Sequence, residues 1–128
     1  MANFFIVSNN PLAAEKYAAQ TQLLTGSPAE VYRAARDAVH RGSRLISHPL
    51  AGSVKPNETP YRSIVLSAAG GVLDFRSLQL IEDAILVLKK LPQRHTEQYT
   101  PAMHADYQVI DLDLLDSAIA ALPAEFHF

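Results

Sequence analysis

The chain has 128 residues, of which 48% are hydrophobic and 19% charged, and these proportions are typical of one compact soluble domain with a buried core. Its formal net charge of -2 gives no broad positive field, so no nucleic-acid partner is expected, and the lack of cysteine excludes disulfides, thiolate nucleophiles and cysteine-based zinc sites. No apolar run approaches the roughly 20 residues of a membrane span, and we therefore predict a cytoplasmic protein that does not enter a membrane.

The chain begins with a predicted strand and helix. Residues 4–7 are apolar at consecutive positions, which indicates a strand that is covered on both faces. Asn10 can cap a helix through its side-chain oxygen, and Pro11 suits the first helical position because its missing N–H costs nothing there. This pattern predicts a helix from about Pro11 to Gln20.

A second strand and helix follow. Residues 21–25 are a strand candidate, and Ser27 and Glu30 have the spacing of a capping box, with Pro28 at the first helical position. The apolar residues that follow recur at helical spacing, and Gly42 ends the pattern. The sequence therefore predicts an amphipathic helix from about residue 28 to Gly42.

The middle of the chain contains two more predicted strands, over residues 44–47 and 63–68, separated by a long polar stretch. Three prolines in that stretch, Pro49, Pro56 and Pro60, argue against a crossover helix, so we predict that the second of these strands runs antiparallel. After a Gly-Gly turn, Asp74 can cap the longest predicted helix, which reaches about Leu91.

The C-terminal part reads as less regular. Residues 93–106 are polar and predict an irregular segment, and the pattern over residues 107–111 favours a short edge strand. A final helix is predicted from about Leu112 to Leu122, where Pro123 follows. Asp111, Asp113 and Asp116 then lie near the start of this helix, where negative charge is favourable, and this explains them better than a cation site does.

The order of these elements predicts one α/β domain over residues 1–128, because strand-helix-strand units place their helices against the sheet. We predict a three-layer Rossmann-like or flavodoxin-like sandwich with a small, mostly parallel sheet. If the sheet order begins 2-1-3, the first strand and the strand over residues 44–47 are neighbours, and ligands of such sheets bind where the connections diverge.

Two polar segments would then form one rim: residues 8–11, and the stretch "SHPLAGSVKPNETPYR" of residues 47–62. Loops this long are uncommon in compact domains unless they are functional or disordered. A helix cap and a proline-rich turn remain structural explanations for much of the rim. The predicted ligand-binding residues are Asn9, Asn10, His48, Ser53, Lys55, Asn57, Glu58, Thr59 and Tyr61.

Lys55 and Arg62 flank a run of hydrogen-bond donors, so an anionic ligand such as a carboxylate or phosphate is plausible chemistry for this rim. The chain has neither the glycine-rich dinucleotide motif nor a Walker lysine pattern, and we predict no cofactor. His48 and Glu58 are an alternative general acid-base pair. The remaining histidines are too irregularly spaced to predict a metal site.

The string "SNNP" near the start, together with "HPLAGSVKPNETPYRS", resembles the GrdX family over the whole domain. Such proteins are named for gene clusters of the glycine reductase system, and the resemblance carries no catalytic assignment. The positions that match are Asn9, Asn10, Pro11, His48, Pro49, Leu50, Gly52, Ser53, Lys55, Pro56, Asn57, Glu58, Thr59, Pro60 and Tyr61.

The resemblance implies an accessory role, because glycine reductase chemistry uses selenium and thiols and this chain has no cysteine. Our first hypothesis is an accessory or regulatory protein that binds a small, anionic ligand at the rim. The alternatives are a module that docks on a reductase-type protein partner, and a small hydrolase or isomerase that uses His48 and Glu58. The sequence leaves homo-oligomerisation and the presence of any catalytic activity open.

Overall fold

The computed structural model describes residues 3–50, 55–68, 70–92 and 95–126. Over these residues the chain is mixed α/β, as the sequence predicts, with a three-stranded sheet and four α-helices. These elements are β1 (Phe4–Ser8), α1 (Pro11–Lys16), β2 (Thr21–Leu23), α2 (Pro28–His40), β3 (Ser63–Ser67), α3 (Phe75–Lys90) and α4 (Pro101–Ala120). Short 3-10 turns at Thr96–Gln98 and Ala124–Phe126 precede and follow α4.

The sheet has the order β2-β1-β3 and is mixed, so the prediction of a mostly parallel sheet is wrong. β1 runs parallel to β2, with Ile6 opposite Thr21, and antiparallel to β3, with Ile6 opposite Val65. β3 is the predicted fourth strand, and its antiparallel direction is confirmed. A Rossmann-like or flavodoxin-like sandwich is not confirmed, because those folds are built on parallel strands.

Residues 44–47, predicted as the third strand, do not form a regular strand. Leu45 makes a single antiparallel bridge to Leu66 at the outer edge of β3. The Leu45 N–H donates to the side chain of Ser77 on α3 (2.9 Å) instead of to a strand carbonyl, which interrupts the ladder. β3 occupies the place beside β1, so the predicted adjacency of residues 44–47 and β1 is wrong as well.

Alternate residues of the strands point to two clusters of buried side chains, one on each face of the sheet. On one face Val7 and Leu66 pack with residues of α2 and α3. On the other face Ile6 and Val65 pack with residues of α1 and α4. All four side chains are fully buried. Helices on both faces explain why β1 is apolar at consecutive positions instead of alternating with polar residues.

Two of the three predicted helix caps are present. Asn10 caps α1 and Asp74 caps α3, since each side chain accepts a backbone N–H of the first turn (3.0 Å and 3.1 Å). Ser27 makes no such bond at the start of α2, so the predicted capping box is wrong. Glu30, its predicted partner, pairs with Arg33 on the helix surface instead.

The C-terminal part of the chain is more helical than predicted. Residues 107–111, predicted as an edge strand, lie inside α4, and α4 begins within the predicted irregular segment 93–106. Thr100 starts the helix by accepting the Met103 N–H (3.2 Å), and the following proline fits the first helical position. The Thr-Pro pair therefore predicts the start of α4 better than the apolar pattern of residues 107–111 does.

α1 ends at Lys16, before the predicted end at residue 20, and is tied to α4 at that end. The Tyr17 hydroxyl donates to Asp116 Oδ1 (2.5 Å), and Lys16 Nζ donates to Asp116 Oδ2 (2.9 Å). Burial, together with the bond to Asp116, raises the pKa of Tyr17 to about 12. Desolvation acts to raise the pKa of Asp116, but the hydrogen bonds from Tyr17 and Lys16 outweigh it and leave that pKa lowered.

We expect Tyr17→Phe to lower the free energy of unfolding at neutral pH by about 1 kcal/mol, because it removes a bond to a partly exposed carboxylate. A lowered carboxyl pKa stabilises the fold above the unfolded-state value near 4 and ceases to do so as pH falls below it. The cost of the substitution should therefore shrink in acid. Urea unfolding measures the stability that Tyr17→Phe removes, in the wild type and in the Asp116→Asn variant. An equal loss of stability in these two proteins would contradict the prediction.

Candidate functional site

Asn9 follows β1 and joins it to the polar segment that precedes β3. Its Nδ2 donates to the carbonyls of Gly26 (2.9 Å) and Pro60 (2.8 Å), and its Oδ1 accepts the Arg62 N–H (2.9 Å). The side chain is buried, with 7% of its residue surface exposed. The end of β1 therefore meets the last residues of the segment 47–62, and not its start as the sequence predicts, because β3 is the strand beside β1.

Asn10 begins a buried polar network that links α1, β3 and α4. Its Nδ2 donates to the Gln108 carbonyl (2.9 Å) and to Asp111 Oδ2 (3.0 Å). The Ser63 hydroxyl donates to the same Asp111 oxygen (2.7 Å) and lies 2.7 Å from the Ser8 hydroxyl. Asn10 is fully buried and Asp111 is 5% exposed. The centre of the network is thus a carboxyl group that is shielded from water.

Burial is the main influence on the Asp111 carboxyl, and it raises the pKa above the ordinary value. The hydrogen bonds from Ser63 and Asn10 and the charge of Arg62 act in the opposite direction without cancelling it. Asp111 takes part in none of the ion pairs formed among the described residues. Buried carboxyls with a raised pKa are common at functional sites, which makes Asp111 a candidate functional residue.

Asp111 forms part of the wall of a cleft of about 890 Å³, between residues 44–48, the start of α3 and one face of α4. This volume lies within the usual range for small-molecule sites, about 300–1,000 Å³. The cleft has a polar part and an apolar part. Its polar side chains include Arg44, His48, Arg62, Ser63, Arg76 and Asp111, and its apolar side chains include Leu80, Leu114, Ala118 and Phe126.

The three arginines of the cleft differ in exposure. Arg62 is buried, with 4% of its surface exposed, whereas Arg44 and Arg76 are exposed on the solvent side. Asp74 lies near these two, and its pKa is lowered by the hydrogen bond from Ser77 first and by the charges of Arg44 and Arg76, against some desolvation. Asp74 is therefore ionised at neutral pH, and it caps α3 in that state.

Among the predicted ligand-binding residues that the structure describes, His48 lines the cleft. Its Nδ1 accepts the Leu50 N–H (3.1 Å), so the neutral ring carries its proton on Nε2. Asn9 and Asn10 lie outside the cleft lining, with their amide groups bonded inside the protein. Ser53 lies outside the described residues.

The next predicted residues belong to the connection between the cleft and β3. Lys55 is exposed, and its carbonyl accepts a turn hydrogen bond. Asn57 Nδ2 donates to the Pro92 carbonyl (2.7 Å). Thr59 is buried, and its hydroxyl bonds both to the carbonyl (3.0 Å) and to the N–H (3.2 Å) of Tyr61. These contacts hold the segment in place, and none of these residues lines the cleft.

Tyr61 and Glu58 pack toward the beginning of α4. The Tyr61 hydroxyl accepts from Gln108 Nε2 (2.9 Å) and lies 3.0 Å from His104 Nδ1. The Tyr99 hydroxyl donates to the Glu58 carbonyl (2.8 Å). The predicted residues 55–61 therefore form a structured connection, in which Glu58 and Tyr61 pack toward α4.

The structure does not bring His48 and Glu58 together as a general acid-base pair. His48 lines the cleft, whereas Glu58 lies outside the lining and bonds to Tyr99 through its backbone. A general base must reach its partner directly or through one water molecule. Their positions therefore give no support to the hydrolase or isomerase alternative.

Asp111 is the main candidate that the sequence reading missed. We predicted it at the start of a helix, and this is wrong, since it lies in the interior of α4. Asp111 precedes the buried Leu115 by one helical turn, so both lie on the same face. An aspartate on the apolar face of a helix would have indicated a site residue in the sequence. Because we predicted that the helix begins at residue 112, Asp111 was not placed on that face.

In the described part of the chain, no three or more His, Asp or Glu side chains are grouped so that they could hold a metal ion. Nor do residues 3–50, 55–68, 70–92 and 95–126 include a helix with the length and apolar character of a membrane span.

Comparison with protein families matches residues 5–120 to the family described as GrdX-like protein. The matched range includes the strands and helices of the described residues, apart from Phe4 of β1, and the network of Asn10, Ser63 and Asp111. No curated protein and no solved structure matches the chain.

Proposed function

The chain belongs to the family of GrdX-like proteins, and on that premise we propose that it is an accessory or regulatory protein that binds a small organic anion in the cleft. One observation carries the proposal: the cleft of about 890 Å³ combines a buried arginine with hydroxyl groups and an apolar wall. These residues indicate the class of ligand, since the family name specifies no reaction.

We place the ligand in the cleft and not across the whole predicted rim of residues 8–11 and 47–62. Asn9 and Asn10 use their amide oxygens and both amide N–H groups in internal hydrogen bonds. A ligand that bound to these amides would have to break bonds that hold the fold together. His48 and Arg62 belong both to that rim and to the cleft, and they keep their proposed role.

The charges of the cleft favour an anion. Arg62 is buried, where its charge interacts with an anion more strongly than it would in water. Arg44 and Arg76 add positive charge at the solvent side, and the acidic residues Asp74 and Glu125, which line the same cleft, oppose it. Asp111 opposes an anion less than an ordinary aspartate does, because its raised pKa favours the neutral form.

The apolar wall favours an organic anion over an inorganic one. Leu80 of α3, Leu114 and Ala118 of α4, and Phe126 line the same cleft as Arg62. A ligand with a hydrocarbon part gains free energy by covering this surface, at about 25 cal/mol per Å² of apolar area removed from water. A carboxylic acid with a short aliphatic or aromatic group fits both parts of the cleft.

A binding role is favoured over catalysis because the cleft lacks a recognisable catalytic set. His48 lines the cleft and Glu58 does not, and thiol chemistry is excluded because these 128 residues include no cysteine. If the protein acts with a reductase, its contribution is therefore ligand binding, and the thiol chemistry belongs to the partner.

The experiment is to fill the cleft without disturbing the core. Ser117 is exposed on α4 and lines the cleft, so Ser117→Trp should occupy the ligand volume. We expect benzoate or hexanoate at about ten times its dissociation constant to stabilise the wild type by about 1.4 kcal/mol, and to leave Ser117→Trp unchanged. Thermal unfolding and calorimetry measure both effects, with inorganic phosphate as the anion that has no apolar part.

Ala120→Trp is the matched control, because Ala120 is exposed near the same end of α4 and does not line the cleft. This variant should respond to benzoate and hexanoate as the wild type does. The proposal fails if neither organic acid stabilises the wild type, or if Ser117→Trp and Ala120→Trp respond equally. A response to phosphate alone would contradict the organic part of the proposal.

A further inference from the structure

We infer that Asp111 binds the anionic group of the ligand as a neutral carboxylic acid, so that binding of the anion is coupled to the uptake of one proton. This inference rests on the proposed function, since it names a binding residue and a pH control for the same cleft. Asp111 would thus distinguish anions from neutral or cationic ligands of the same shape.

Two side-chain hydrogen bonds of Asp111 meet at one of its oxygens. Asn10 (3.0 Å) and Ser63 (2.7 Å) both donate to Oδ2. Neither of these side chains donates to Oδ1, the Ser63 backbone N–H also interacts with the carboxyl, and Asp111 lines the cleft. If the carboxyl is protonated, the proton therefore belongs on Oδ1, because Oδ2 already faces two donors. An O–H on Oδ1 is then directed to the space that a ligand would occupy.

Burial of Asp111 outweighs the groups that stabilise its charge. Arg62 is the cationic group whose field acts on it, and burial outweighs that field. From α2, Tyr32 feels the charge of Asp111 but donates its hydroxyl to the Pro49 carbonyl (2.9 Å). The other titratable or charged groups that line the cleft are Arg44, His48, Asp74, Arg76 and Glu125. Beside it, Lys16 and Tyr17 both bond to Asp116 of α4.

An anion in the cleft changes this balance further toward the neutral acid. A second negative charge near an ionised Asp111 would be repelled, whereas a protonated Asp111 donates a hydrogen bond to it. The equilibrium is balanced as written: the carboxylate, one proton and the anion give the neutral acid bound to the anion. No covalent bond is formed apart from the O–H bond, and no other reactant is needed.

The experiment compares the wild type with Asp111→Asn, in which Oδ1 can accept the two existing bonds and Nδ2 can donate to the ligand as the protonated acid would. Benzoate is the probe, because it remains ionised well above its pKa near 4. With one coupled proton, wild-type affinity should fall about tenfold per pH unit above the pKa of Asp111, whereas Asp111→Asn should bind with constant affinity. Calorimetry in buffers of different ionisation enthalpy should show uptake approaching one proton by the wild type and none by the variant.

His48→Gln removes the imidazole from the cleft and leaves Asp111 in place. The pH dependence of benzoate binding should persist in His48→Gln, and its loss there, with retention in Asp111→Asn, would overturn the inference. NMR of the wild type tests the same point without a substitution. The carboxyl carbon resonance of Asp111 should move to the chemical shift of the protonated acid when benzoate is added. If benzoate binds to the wild type without proton uptake, and Ser117→Trp prevents the binding, this inference is refuted and the proposed function stands. If benzoate does not bind to the wild type, the proposed function is refuted as well.

Discussion

Asn10→Asp is expected to destabilise the protein by about 3–5 kcal/mol at neutral pH, because it leaves an uncompensated charge inside the protein. The Asn10 amide lies 3.0 Å from Asp111 Oδ2 and 2.9 Å from the Gln108 carbonyl, and it donates to both. A carboxylate in its place would face two acceptors and offer no hydrogen. The loss would take up much of the 5–15 kcal/mol that typically separates a folded from an unfolded domain.

The destabilisation by Asn10→Asp should depend on pH with a definite sign. Two carboxyls in contact cannot both ionise cheaply, so the native pair binds more protons than the unfolded chain does. Stability therefore falls as pH rises from the unfolded-state value near 4 through the higher native value. Denaturant unfolding between weakly acidic and neutral pH measures this, and a cost that does not change with pH would contradict it.

Combining Asn10→Asp with Asp111→Asn provides the critical comparison. The exchange restores one carboxyl and one amide at the contact, so the double variant should recover part of the lost stability. Asn57→Asp is the control for an amide with a single hydrogen bond, to the Pro92 carbonyl, and should cost much less. Equal losses in Asn10→Asp and Asn57→Asp would show that the buried network has no special role.

Asn9→Ala should be the second most damaging change, at about 3 kcal/mol, since each buried polar group left without a partner costs about 1–3 kcal/mol. The substitution removes the partners of the Gly26 and Pro60 carbonyls and of the Arg62 N–H. These groups belong to three separate parts of the chain. Asn9 therefore acts as a cross-link, and its loss should loosen the segment that leads into β3.

Thermal and denaturant unfolding measure the effect of Asn9→Ala, with Asn57→Ala as the matched control. Asn57 was predicted as a ligand-binding residue for the same reasons as Asn9, but its amide makes one bond to the Pro92 carbonyl. Asn57→Ala should cost about 1 kcal/mol, the usual net value of one hydrogen bond. Similar losses in the two variants would contradict the role of Asn9 as a cross-link.

These two asparagines connect stability with the proposed binding site. Asn9 holds the backbone of Arg62, and Asn10 holds the carboxyl of Asp111, and both of those residues line the cleft. We therefore expect the variants that remain folded to bind benzoate more weakly than the wild type. Under the proposed function, the "NN" pair contributes to binding by holding residues of the cleft in position.

Local signals in the sequence were sufficient for most elements. Asn10 before Pro11 and Asp74 before α3 predict helix starts that the structure confirms, because a cap depends on residues within one turn. The unbroken apolar run of β1 predicts burial on both faces, which is also confirmed. The prolines before β3 predict its antiparallel direction correctly, since they leave the connection without a crossover helix.

The wrong predictions of secondary structure fall where contacts with distant residues, or a helix that starts earlier in the chain, override the local hydrophobic pattern. Residues 44–47 have the composition of a strand, but Ser77 of α3 accepts the Leu45 N–H and only one bridge to β3 forms. Residues 107–111 alternate like an edge strand, yet they continue a helix that begins at Pro101. For residues 44–47 the residue that decides the structure, Ser77, lies far along the chain. For residues 107–111 the helix start at Pro101 lies outside the segment whose pattern was considered.

The candidate site depends on such distant contacts most of all. Composition and local patterning were enough to establish a mixed α/β chain, its capped helices and a polar segment after residue 47. Asp111 could be recognised as a site residue only in three dimensions, because Asn10 is 101 positions away and Ser63 is 48 positions away. Burial of a carboxyl depends on which elements pack around it, so folding, and no short motif, turned an ordinary helix aspartate into a buried residue of the cleft wall.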